Sequence, residues 1–298
     1  MFQFTHTLNE GTENETIVNE SRYIGDAPNN YVYFNCDEQV ENQEYNYAES
    51  CEVWRIIGVF DVERTDPEDS SKTIIEQRMK LVRGSDFASI MSWNSNYQND
   101  WTAANASLKN FLNGDYYNRT GDAATYGLKI SAQEKIGDAV YYLGAVSKDS
   151  TNGTFGSTEK IYGEERGITV CKDCNTDTAK LAWIGKVGLM YPSDEYMAYG
   201  NGVNETCYTN PYGCSGLNAS TGWVFRSNIR EGQSISNTWL LSSISTRSDV
   251  LYVNNDGKLP GASMSLYGGC GVRPVVYLKS SIKIKSGTGE EGNPYVLE

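Results

Sequence analysis

The sequence predicts a mostly β, α+β fold with long loops and two short helices. Near the C-terminus three apolar or alternating runs follow one another: Thr238-Trp239-Leu240-Leu241-Ser242-Ser243, then Asp249 to Leu259, then Gly271 to Leu278. Each is bounded by Gly, Asn, Asp or Ser. Asn255-Asp256-Gly257 is a strong hairpin signal, because Asp and Gly tolerate the positive φ that a tight turn needs. These runs read as three consecutive antiparallel strands, the last central and buried on both faces, with Pro274 at its start because it has no amide hydrogen to give. Tyr, Gly, Asn and Ser are abundant while long Leu- or Ala-rich periodic segments are few, which favours short strands and many loops. Finally, the apolar period lengthens between Asp100 and Asn113, which predicts a helix.

Taken in order, residues 1 to 20 are polar and acidic and predict a leader or linker; His6, the only histidine, falls inside it. Residues 21 to 298 then form a single domain with insertions. Its first strands are Ser21 to Gly25 and Tyr31 to Phe34, separated by a Pro-Asn-Asn turn. Cys36 and Cys51 flank a polar excursion, after which Val53 to Phe60 resumes as a strand. A disulfide across the base of that excursion pins the hairpin ends, worth ~3 kcal/mol in the chain-entropy picture. Asp61 to Lys72 is a charged loop and Met79 to Arg83 the returning strand.

Trp101, Leu108, Phe111 and Leu112 share one helical face, with Asp100 or Thr102 as cap and Asn113-Gly114 as stop. A second helix is expected over Ser131 to Leu143, where Glu134 follows Ser131 as in a capping box. Gly144 to Thr221 is the long-loop region, interrupted by Gly163 to Val170 and Trp183 to Asp194. Ser280 to Glu298 closes the chain as an edge hairpin. No repeat of ~20 to 50 residues is present.

The formal charge is −13, from 25 Lys+Arg against 38 Asp+Glu, with no basic run. That disfavours binding to a phosphate backbone, so no nucleic-acid partner is expected. No stretch of ~18 apolar residues is present, so no membrane insertion is expected. Nor does a basic-then-apolar signal open the chain. Seven cysteines without an evident metal motif point to an oxidising, extracellular setting, with the export signal removed or carried on an upstream anchor.

Ser21 to Gly25 with Pro28 to Val32, Trp54 to Phe60, Asn99 to Trp101 through Leu112 to Tyr117, Gly188 to Asp194, and Gly271 to Ser280 together resemble a family of secreted domains of unknown function from gut Firmicutes. Members of that family often follow a prepilin-type leader, which implies display at the bacterial cell surface. The closing order of Trp-Leu, a hairpin and Gly-Val-Arg-Pro is also similar to the end of C-type lectin-like domains, which implies a C-type lectin-like scaffold. The chain departs from calcium-dependent lectins, having neither Glu-Pro-Asn, Gln-Pro-Asp nor Trp-Asn-Asp. The cysteine pair of formylglycine-generating enzymes has no counterpart that can be placed here.

Nucleophilic catalysis through histidine would need His6, which lies in the expected leader. Cys171-x-x-Cys174 reads as a loop disulfide, and Cys207 with Cys214 as a second; a structural zinc held by all four is the alternative. Cys270 is the odd cysteine, able to exchange with either pair. Glu164, Glu165, Asp194 and Glu195 are the candidate carboxylates for hydrolysis of a surface polysaccharide, against a solvated turn or a partner for Arg166. The expected ligand-binding set is Tyr196, Tyr199, Tyr208, Tyr212, Trp223, Arg226, Arg247, Tyr252 and Tyr267, which combine stacking faces with hydrogen bonds. Trp54, Trp101, Trp183 and Trp239 lie in apolar runs and read as core. The expected function is non-enzymatic recognition or adhesion, without cofactor or metal, toward a glycan or protein at a cell or phage surface. A pilin-like structural subunit and a carboxylate hydrolase are the alternatives.

Overall fold

A computed structural model describes residues 1–13, 15–39, 44–66, 68–69, 71–87, 90–95, 100–147, 156–169, 171, 182–198, 222–226, 237–244, 249–254, 261–263 and 270–298. Its centre is a long hairpin of β4 (Glu52–Thr65) and β5 (Thr73–Arg83), bulged between Ile56 and Gly58. The period-2 alternation of Val, Ile and Phe along β4 places Trp54, Ile56, Phe60 and Val62 in the core.

On one side of this hairpin lie β1 (Phe2–Leu8), β2 (Thr16–Arg22) and β3 (Tyr31–Phe34). On the other lie β12 (Val275–Tyr277) and β8 (Val187–Gly188). The strand order is β1-β2-β4-β5-β12-β8, with β3 also paired to β4, and the pairs within it are antiparallel. A second sheet runs β11 (Gly261–Ser263), β10 (Asp249–Val253), β9 (Thr238–Ser243). Two ribbons, β6 (Ala139–Tyr142) with β7 (Ala182–Gly185) and β13 (Ile284–Ser286) with β14 (Val296–Leu297), complete a mostly β, α+β architecture.

Four expectations change. Residues 1 to 20 are not a loose leader among the described residues: β1 and β2 pair along seven positions from Phe2↔Arg22 to Leu8↔Thr16, and β2 joins the main sheet at Ser21↔Val59. The three-strand meander is split. Val275, Val276 and Tyr277 are buried as expected, but β12 sits between β5 and β8, while β10 takes β11 as its second neighbour. Residues 255–257, the expected turn, lie outside the described residues.

After the one-turn α1 (Tyr47–Ser50), the first expected helix is shorter than predicted, α2 (Ser107–Phe111) continuing into a wide helical turn Leu112–Tyr116, because Asp100 spends its carboxylate on Thr102 in a local turn. The second helix survives only as α3 (Ile130–Gln133). Past Gly137 the chain alternates as β6, with Ala139 and Tyr141 inward. Two helices in the expected long-loop region matter below: α4 (Thr158–Glu165), capped by Ser157, and α5 (Pro192–Met197), where Pro192 opens the first turn and Asp194 folds back to the Tyr191 amide.

Candidate functional site

A continuous buried chain of charges joins the N-terminal hairpin to the middle of the sequence. His6, Glu20 and Arg22 face inward from β1 and β2, Lys80 projects from β5, Glu165 and Asp194 come from α4 and α5, and the half-buried Arg166 caps the end of α4. Glu20 accepts from Arg22 Nε, from the Tyr162 hydroxyl at 2.9 Å and faces His6 Nε2 at 3.1 Å. Arg22 Nη1 donates to Asp194 Oδ1 at 2.9 Å, and Lys80 Nζ donates to Asp194 Oδ2. Tyr191, Tyr277 and Phe60 wall the Lys80 ammonium at 4.5, 5.3 and 5.4 Å from their ring centres.

Alongside, Glu165 accepts from the Ser193 amide at 2.9 Å, the Ser193 hydroxyl at 2.5 Å and Arg166 at 3.1 Å. Arg166 stacks over the Tyr162 ring at 3.5 Å. Glu164 accepts from the Ser147 amide at 2.9 Å and from its hydroxyl.

Desolvation sets the ionisation of this cluster and the neighbours correct it. Burial pushes the Glu20 carboxyl up, but Arg22, His6 and Arg166 more than offset it and hold it well below the usual carboxylate range. Burial likewise raises Asp194, and Lys80 and Arg22 reverse the sign. Lys80 falls to about 8 because burial outweighs its attraction to Asp194. Glu165 goes the other way: burial carries it up to about 7 in spite of Arg166 and Ser193.

All four candidate carboxylates are therefore interior groups. Glu164, Glu165, Asp194 and Glu195 are each at most 1% exposed, so none lies on a solvated turn, and Glu165 is the partner of Arg166. A cavity of about 40 Å³ beside Glu20, Tyr162, Arg166 and Tyr191 is the space this cluster leaves, too small for a sugar ring.

The expected ligand-binding residues divide. Tyr196 and Trp223 are 3% and 1% exposed and belong to the core, which corrects the expectation for both. Trp223 gives its indole N–H to Tyr23 O at 2.9 Å and its ring face to Arg55 at 4.8 Å, so its polar handle is already used. Tyr252 is half-buried with its ring edge-on to Trp239. Arg226 closes the helical turn Trp223–Arg226. Tyr199, Tyr208, Tyr212, Arg247 and Tyr267 lie outside the described residues.

The roots of those segments are described. Residues 199–221 leave and return at one glycine: the Gly25 amide donates to Ala198 O at 3.0 Å, and Gly25 O accepts from the Trp223 amide at 3.2 Å. Gly25 has φ 101°, a conformation that disfavours any side chain there. Next to it, the buried Arg273 donates to Val224 O at 3.0 Å and to Arg83 O at 2.9 and 3.1 Å. Gly271, two residues earlier, donates to Asn237 O at 2.7 Å, where residues 227–236 rejoin the framework. Val253 pairs with Thr238, so residues 255–260 start from this same end. Ser243 and Val250 pair at the opposite end of β9, ~17 Å from Thr238 along the strand.

The Cys36–Cys51 disulfide is present. Cys171 is disulfide-bonded, which favours the loop-disulfide reading at that cysteine; Cys174, Cys207 and Cys214 lie outside the described residues. Cys270 is unpaired and buried, with its thiol pushed up to about 12 by desolvation, so it is set for packing and not for exchange. Among the described residues no group of three or more His, Cys, Asp or Glu is arranged to hold a metal ion, and no helix is long and apolar enough to cross a membrane.

Sequence reasoning missed His6, Glu20, Arg22 and Lys80. The usable signal was in β5, where Lys80 stands between Met79 and Leu81 and shares a face with Arg78 and Val82. Comparison with protein-family models, curated proteins and solved structures finds no match to the chain.

Proposed function

We propose that the chain is a non-enzymatic recognition or adhesion domain, displayed outside the bacterial cell, that meets a glycan or protein ligand through residues 199–221 and 227–236. The observation that carries this reading is the shared root: the described residues flanking these segments, Ala198, Trp223 and Asn237, bond to Gly25 and Gly271, and Arg273 bonds to Val224 beside them. Segments that join a fixed base are where binding residues concentrate on a scaffold. Tyr199, Tyr208 and Tyr212 supply stacking faces in the first of these segments. The Cys36–Cys51 disulfide accords with an oxidising compartment. The C-type lectin-like reading of the scaffold rests on the order of Trp239, the β9–β10 hairpin and the Gly271-Val272-Arg273-Pro274 run, in which Arg273 is the buried clamp on Val224.

The hydrolase alternative loses its named acids to the interior. A pilin-like role draws support from one feature: β1 is an outer strand of the main sheet, and Phe2 and Ile17 of its hairpin are exposed. Sedimentation of the domain at high concentration separates the two, since recognition expects a monomer and a subunit expects self-association. Glycan-array and pull-down screens with the intact domain test the leading proposal directly. A saturable ligand is the expected result, and uniformly negative screens across cell-surface glycans and proteins count against it.

A further inference from the structure

We propose that Lys80 and Asp194 condense into an intramolecular amide, a covalent strut between the central strand β5 and the start of α5. The inference is independent of the recognition reading. Its basis is geometric: Lys80 Nζ and Asp194 Oδ2 are in direct contact, both side chains are 0% exposed, and three aromatic rings enclose the ammonium. Lys80 is the only lysine among the buried residues described.

The chemistry balances without any co-reactant. In the ion pair, Nζ passes a proton to the carboxylate, giving a neutral amine beside a neutral acid. Lys80 and Arg22 keep Asp194 ionised at rest, and burial, which lowers the Lys80 ammonium to about 8, eases the transfer. The amine lone pair then attacks Cγ, forming the Nζ–Cγ bond. The Cγ–Oδ2 bond breaks, and the oxygen departs as water with both protons that Nζ has given up. Arg22 Nη1, 2.9 Å from Oδ1, faces the oxygen on which negative charge develops and stays bonded to the amide carbonyl afterwards. The Tyr191 amide gives up its Oδ2 acceptor.

One positive and one negative charge vanish together, so the remaining buried pair of Arg22 with Glu20 stays balanced. A buried, aromatic-walled contact holds the reacting groups together with little freedom to lose, which is where proximity contributes most.

Intact-mass spectrometry of the full chain, reduced and denatured, tests this. The expected wild-type mass is lighter than the sequence mass by one water. Proteolysis then yields a branched peptide joining the Lys80 and Asp194 segments, and the Lys80→Arg variant returns to the full sequence mass. A mixture supports the proposal if the lighter species carries the branched peptide. Wild-type protein wholly at the sequence mass overturns it, as does a water loss mapped to a cyclised aspartate elsewhere. The wild-type measurement decides the matter even if the variant does not fold.

Discussion

Glu165 makes stability depend on pH in a way that one substitution isolates. Its carboxyl ordinarily titrates at 4.5 and is carried up to about 7 in the folded chain, first by burial, with Arg166 and Ser193 opposing. Between those values the folded state holds a proton that the unfolded state has released, so stability must fall as pH rises. The contribution is fully present below pH 4.5 and is lost as pH passes about 7. A displacement of this size corresponds to about 3 kcal/mol across the window, a large share of the ~5–15 kcal/mol that holds a domain folded.

Glu165→Gln removes the titration while keeping the shape and an acceptor for the Ser193 amide. Urea unfolding followed by tryptophan fluorescence, with disulfides intact, gives the stability of each protein at each pH. The variant should gain on wild type by about 3 kcal/mol as pH rises through the window. Subtracting the two curves cancels Glu164 and the other groups that titrate nearby. A difference that stays flat with pH would refute the reasoning, because Glu165 would then be ionised alike in both states.

Trp223→Ala should cost about 3–5 kcal/mol through the cavity and the lost Tyr23 hydrogen bond, seen as a lower urea midpoint; an unchanged midpoint would return Trp223 to the surface. Cys36→Ser with Cys51→Ser reopens a loop of separation 15 and should lower stability by about 3 kcal/mol, measured the same way; no loss in the unfolding titration would contradict this. Cys270 should resist alkylation in the native protein and react on unfolding, since its thiol is buried and held near 12; rapid native labelling by iodoacetamide would show an exposed sulfur.

The sequence spoke clearly where one physical cue sufficed. The apolar run Val53 to Phe60 announced β4, although the strand continues to Thr65 through the first part of the expected Asp61 to Lys72 loop; the unbroken Val275 to Leu278 run announced a strand buried on both faces, and the flanks of a polar excursion located Cys36–Cys51. Partners of that buried strand were not legible, because a strand apolar on both sides suits any two neighbours.

The N-terminal hairpin stayed hidden for another reason. Its inward face carries His6, Glu20 and Arg22, charges that read as solvent-facing until their partners are known, and Tyr162 and Asp194 lie 142 and 172 residues away. The same distance concealed the interior role of Glu165 and Asp194. Tyr196 and Trp223 misled because aromatic residues in a Gly/Asn-rich region suit a binding loop and an anchor equally.

The recognition role is tested most directly by changing three side chains and nothing else. Tyr199, Tyr208 and Tyr212 are replaced together by Ser, leaving every cysteine in place, and titrated against whatever ligand the intact domain captures. Affinity should drop by about tenfold or more while the urea midpoint stays at the wild-type value. Undiminished binding at unchanged stability would mean that the segment rooted on Gly25 is not where this protein meets its ligand.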